Sequence, residues 1–157
     1  MGKTLLQSGR ISPFIVLAGL LTGPAFAEPR GHWQFIEDGT GVELRSCSTG
    51  AAALCGVITR LPKSAKALPP AQRRAVCGVA MLGDLQPAKP KDGELARFDG
   101  WVDDIESMTP EGKAPRYAAS LVVLSENRAR LDVRVTLGIV IARFQLLRAL
   151  TPITDCN

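Results

Sequence analysis

Apolar and polar residues alternate along most of this chain. Leu131, Val133, Val135, Leu137, Ile139 and Ile141 are apolar at every second position, with Asp132, Arg134 and Thr136 between them. A period of two predicts a half-buried strand, here two strands divided by a turn near Gly138. Beyond Ile141 the apolar set moves by one residue to Phe144 and Leu146. A β-bulge there would restore the register, because a one-residue slip turns every side chain to the opposite face. A helix over Val140–Leu150 fits the same spacing and is the competing assignment. Upstream, Tyr117, Ala119, Leu121 and Val123 alternate in the same way, and Glu126-Asn127 marks the turn into the next strand.

Further strands are predicted over Gly31–Ile36, Val42–Cys47, Leu54–Leu61, Val76–Leu82 and Phe98–Glu106. Turn residues punctuate them at Gly39-Thr40-Gly41 and Thr109-Pro110-Glu111-Gly112. Two stretches rich in Pro and Lys, Pro62–Pro70 and Pro87–Asp92, read as exposed loops, and a short helical turn fits Pro70–Arg74. About eight short strands at hairpin spacing predict an all-β fold. Its form is a closed antiparallel meander barrel, which leaves no edge strand to aggregate.

The first 27 residues follow a different pattern. Lys3 and Arg10 give a basic start, Ile11–Leu21 an apolar stretch, and Ala25-Phe26-Ala27 a small-x-small cleavage site. This predicts a signal peptide over 1–27 with cleavage after Ala27, and a periplasmic or secreted β-barrel domain over 28–157. Losing Lys3 and Arg10 lowers the formal charge from +4 to +2. Lys and Arg are spread along the chain apart from Arg73-Arg74, so no clustered basic face for nucleic acid is expected. No second apolar run approaches the roughly 20 residues a membrane helix needs, so no integral segment is expected in the mature chain.

Export changes the reading of the four cysteines, because an even number in an oxidising compartment favours disulfides. Cys47 and Cys55 flank the turn-like Ser48-Thr49-Gly50-Ala51. Residues placed symmetrically about a hairpin turn lie about 4.5–5.5 Å apart at Cα, within disulfide range. That leaves Cys77 and Cys156 as the other pair, a staple from the C-terminal tail to the body. Zinc is disfavoured, since there is no Cys-x-x-Cys and the only histidine is His32. No metal or cofactor is expected.

Several of these residues together resemble the domain of unknown function 2147 family (DUF2147). They are Gly31-His32-Trp33, Cys47, Leu54-Cys55-Gly56-Val57-Ile58-Thr59-Arg60-Leu61, Cys77-Gly78, Gly100-Trp101, Pro110-Glu111-Gly112-Lys113 before Tyr117, and Leu131–Arg134. The chain departs from that pattern at Lys63–Pro70, at Leu146-Leu147 before Arg148, and in having no cysteine within Val135–Arg143. The resemblance implies a small exported bacterial protein with a lipocalin-like or streptavidin-like barrel, and implies no particular activity.

For a binding site, Trp33, Trp101 and Tyr117 are the candidate ligand contacts. An early Gly-x-Trp also suits a plug at the closed end of a barrel, Trp101 suits either role, and Tyr117 would face a cavity or cap the core. Asp99, Asp103, Asp104 and Glu106 form the one acidic cluster, with Asp104 and Glu106 on one face if the strand continues. A solvated face is the expectation there rather than calcium binding or acid/base work. His32 alone would have to serve any hydrolytic triad, and no Gly-x-Ser-x-Gly occurs, so no enzyme is expected. The function expected is binding of a small apolar or amphipathic ligand inside the barrel. The alternative is a non-catalytic envelope scaffold whose loops Pro62–Pro70 and Pro87–Asp92 contact a protein partner.

Overall fold

The computed structural model describes residues 28–157 apart from 49, 68, 110, 154 and 157. The leader expected over 1–27 lies outside the described residues. Eight strands pair in chain order and β1 closes on β8, giving an all-antiparallel meander barrel. The strands are β1 Gly31–Phe35, β2 Gly41–Cys47, β3 Gly50–Arg60, β4 Ala80–Ala88, β5 Ala96–Asp103, β6 Arg116–Ser125, β7 Arg128–Arg134 and β8 Val140–Arg148. The one α-helix, α1 Pro70–Val76, follows a 3-10 turn over Lys63–Ala67 in the long β3–β4 connection.

Four strand boundaries differ from the sequence expectation by more than two residues. Strand β3 starts at Gly50, ahead of Leu54. Val76 ends α1 instead of opening β4, because the helix entered at Pro70 runs on until Cys77-Gly78 turns the chain, with Gly78 at φ +78°. Strand β4 then continues through Pro87 to Ala88. Pro87 is tolerated because it lies beyond Leu85, the last β4 residue with a β3 partner. Strand β5 stops at Asp103, so Asp104 and Glu106 do not share a strand face; Asp104 instead accepts from the Ser107 amide and caps a 3-10 turn over Ile105–Ser107. The helix considered over Val140–Leu150 is replaced by β8.

The expected bulge is present. Val133 faces Ala142 and Arg134 faces Val140, leaving Ile141 as the extra residue. This keeps Ala142, Phe144 and Leu146 opposite the inward residues Val133, Leu131 and Ala129. The core therefore fills with one row per strand, including Leu44, Ile58, Leu82, Leu85, Leu121, Leu131 and Leu146. Strands β4 and β5 meet at a second irregularity, between Gly83 and Gln86. A Cβ on Gly100 there would collide with the Gly83 carbonyl oxygen, and one on Gly83 would enter the Trp101 ring. Both positions need glycine for close approach.

Both cysteine pairs are bridged. Cys47–Cys55 spans the β2–β3 hairpin with Cα atoms 5.1 Å apart, and Cys77–Cys156 joins the end of the β3–β4 connection to the tail at 5.5 Å. The tail lies along β3, where Arg60 meets the Asp155 carboxylate at 2.7 Å. Among the described residues no helix is long and apolar enough to cross a membrane.

Candidate functional site

The two ends of the barrel differ. At one end Trp33 is fully buried and its indole N–H donates to the Pro29 carbonyl at 2.7 Å. Arg148 covers the ring, its guanidinium carbon 4.4 Å from the ring centroid. The same guanidinium donates to the carbonyls of Glu28, Arg30 and Glu126. Trp33 thus plugs this end and does not reach an open cavity.

At the other end β1, β3, β5 and β7 finish and the even strands begin. A cavity of about 310 Å³ opens there into the barrel. Its floor is apolar: Phe35, Val102, Leu131, Val133, Ala142 and Phe144, with Met81 and Tyr117 on the sides. Phe35 and Phe144 meet edge to face at 6.0 Å between centroids. The mouth carries Asp38, Asp103, Asp104 and Glu106, and no Lys, Arg or His is among the lining residues described.

Each of these carboxylates has a partner that fixes it. Asp38 accepts from the Thr40 amide and hydroxyl at 2.8 Å. Asp103 takes both arms of the Arg116 fork at 2.7 and 2.9 Å. The hydrogen bonds to Asp103, with the attraction of its charge, raise the Arg116 pKa above its ordinary value against the opposing effect of burial. Glu106 accepts from the Ser64 hydroxyl at 2.7 Å and so ties the β5–β6 loop to the β3–β4 connection across the mouth. Pro62, Ala65 and Val76 are buried within that connection, while Lys63, Ser64, Pro69 and Pro70 are exposed as expected of a loop. Clefts of about 340 Å³ elsewhere lie outside the wall, one of them beside Arg73.

Of the three candidate contacts, Tyr117 alone lines the cavity. Trp101 sits on the outer wall, where its ring covers Gly83 and the Arg116 guanidinium stacks on it at 3.5 Å. The acidic cluster is also divided: Asp99 points outward, while Asp103, Asp104 and Glu106 reach the mouth. His32 stands on β1 opposite Glu43, away from the mouth. Among the described residues no group of three or more His, Cys, Asp or Glu could hold a metal ion.

A second feature was not apparent from sequence order. The barrel brings spaced arginines together on the outer wall of β5–β8. Arg97 donates to Glu94, Asp99 and Ser120, and Ser120 in turn donates to Asp99. Arg130 grips Asp132 with two bonds at 2.8 and 3.0 Å, Arg143 approaches the same carboxylate at 3.5 Å, and Arg134 reaches Asp99 at 3.4 Å. Asp132 and Asp103 lie beneath their guanidinium groups, whereas Asp99 is more exposed than Arg97 and Arg134. Asp132 is 7% exposed against 64% for Arg143, and Asp103 is 18% exposed against 55% for Arg116. Alternation at Arg128-x-Arg130-x-Asp132-x-Arg134 was the available sequence signal.

No protein family, curated protein or solved structure matches this chain.

Proposed function

We propose that this protein is a non-catalytic binder of one small apolar or amphipathic molecule, held in the open end of the barrel with its apolar part on the Phe35–Phe144 floor. The single observation behind this reading is a cavity of about 310 Å³ inside a wall otherwise filled by packed side chains. Eight-stranded barrels have room for packed side chains or for one small ligand. Ligand sites are typically concave and mostly apolar with a few fixed polar groups, and this cavity has that composition. The carboxylates at the mouth favour a neutral or cationic head over an anionic one. An exported setting and membership of the DUF2147 family belong to the same proposal, supported by the two disulfides and by the sequence resemblance.

The test uses N-phenyl-1-naphthylamine, a neutral apolar fluorophore. Saturable enhancement at one probe per chain is expected, and Ala142→Phe, which fills the cavity, should abolish it. No enhancement with the wild-type protein, or equal enhancement with the filled variant, overturns the reading.

A further inference from the structure

The β7–β8 hairpin carries apolar surface that the barrel does not use. Val135, Leu137, Ile139, Val140 and Ile141 are all exposed, and they account for five of the ten large apolar side chains exposed among the described residues. Leu137 is the extreme case, 91% exposed at the tip. Its backbone is left-handed at φ 68°, a conformation that bulky side chains rarely adopt, and Gly138 follows at φ +73°. The tip is closed by a Val135 amide to Ile139 carbonyl bond of 3.0 Å, so it projects as one unit.

What surrounds the tip indicates what covers it. The flanking charges in the sequence, Arg134 and Arg143, are both cationic. Across the outer wall Val140 pairs with Arg134, Arg134 with Ala118, and Ala118 with Trp101, over which Arg116 stacks. An apolar tip therefore continues into an aromatic ring and into guanidinium groups, of which Arg116 and Arg143 stand above more buried carboxylates. Trp with its polar N–H suits the boundary between an apolar phase and water, and guanidinium groups suit anionic head groups. Leu137 stands almost fully exposed at the tip, so a protein partner would need a groove to receive it, whereas lipid deforms around it.

We infer that this face docks on an anionic lipid surface, with Val135–Ile141 inserted among the acyl chains and Arg134 and Arg143 at the head groups. Ile141 both belongs to the tip and lines the cavity, so docking brings the mouth to the lipid. The carboxylates of the mouth sit on the β1–β2 and β5–β6 sides, which tilts the barrel onto its β7–β8 side. The inference does not depend on what the cavity holds.

The experiment is sedimentation of the protein, as isolated from expressing cells, with vesicles of phosphatidylcholine alone or mixed with phosphatidylglycerol. Binding to the mixed vesicles at least tenfold tighter than to the neutral ones is expected, falling as salt is raised. Leu137→Gly, whose backbone suits the tip, should keep the fold and N-phenyl-1-naphthylamine binding while losing at least tenfold in vesicle affinity. Arg143→Glu should lose affinity for the mixed vesicles only. Failure of the wild-type protein to pellet with either vesicle overturns the inference, as does unchanged binding by Leu137→Gly. Self-association in lipid-free buffer that Leu137→Gly abolishes would assign the tip to a second copy and equally overturn it.

Discussion

Arg148 lies over the ring of Trp33, its guanidinium carbon 4.4 Å from the centroid, and donates to three backbone carbonyls that belong to the entering chain and to the β6–β7 turn. One side chain thus joins the first strand, the last strand and a turn between neighbouring strands. Charge-assisted hydrogen bonds contribute more than neutral ones, and stacking on indole adds to them. Arg148→Ala should lower stability by about 3 kcal/mol in urea unfolding. Arg148→Lys should recover less than half of that loss, since an ammonium can neither stack flat nor span the three carbonyls.

The two disulfides close loops of very different size, 8 residues for Cys47–Cys55 and 79 for Cys77–Cys156. In the chain-entropy account the stabilisation rises with the logarithm of loop length. Replacing Cys77 and Cys156 together by Ala should cost roughly 4.5 kcal/mol, against roughly 2.5 kcal/mol for Cys47 and Cys55. Thermal unfolding of the two double variants gives the order, and non-reducing peptide mapping checks the pairing itself.

On the outer wall, Asp132 is the anion shared by Arg130 and Arg143. Asp132→Asn keeps its shape but leaves two guanidinium groups facing a neutral amide. Removing one partner of a buried pair usually costs several kcal/mol, and the exposure of both arginines screens part of it. A loss of about 2 kcal/mol in chemical denaturation is expected. A loss below 0.5 kcal/mol would show that the network is an exposed set of pairs with little net effect.

The barrel was legible because β-strands buried on one face repeat every two residues, and the Leu131–Ile141 and Tyr117–Val123 segments do so. The bulge at Ile141 was legible for the same reason, as a break in phase between Ile141 and Phe144. What alternation cannot report is where a strand leaves the sheet. Val135, Leu137 and Ile139 continue the apolar period of Leu131 and Val133, yet the three-residue turn puts them in solvent. The side of the wall on which Trp101 stands depends on Gly100 and Gly83 meeting at a bulge, a contact between strands. The arginine network depends on pairings from β5 to β8 that no local spacing encodes. The hairpin disulfide was readable because its two cysteines are close in sequence, although Cys55 pairs with Arg45 and Cys47 with Gly50 across the strands rather than symmetrically about the turn. The cavity, by contrast, forms only when all eight strands close.

If the cavity holds an alkyl chain on the Phe35–Phe144 floor, affinity should rise with chain length by about fourfold per methylene, the value of about 0.8 kcal/mol for each buried CH₂. The rise should stop once the cavity is full. Head-group sign is the second axis. Dodecyltrimethylammonium should displace N-phenyl-1-naphthylamine at concentrations about tenfold below dodecyl sulfate, since the mouth holds four carboxylates whose one guanidinium partner serves Asp103. Equal displacement by the two would remove the electrostatic preference and leave the apolar one standing.

Leu137 lets strain be separated from packing. At φ 68° its Cβ crowds the following carbonyl, a conformation that costs an L-residue roughly 1–2 kcal/mol relative to the right-handed one. Its side chain is 91% exposed, so little packing in the free protein offsets that cost. Leu137→Gly should therefore stabilise the protein by about 1 kcal/mol, less the extra freedom glycine gains in the unfolded chain. Leu137→Asn should stabilise it by a smaller amount, since asparagine tolerates the left-handed region. Both values come from urea unfolding. Destabilisation by glycine would mean that the leucine makes contacts worth more than the strain, and would place the tip against the body of the barrel rather than in solvent.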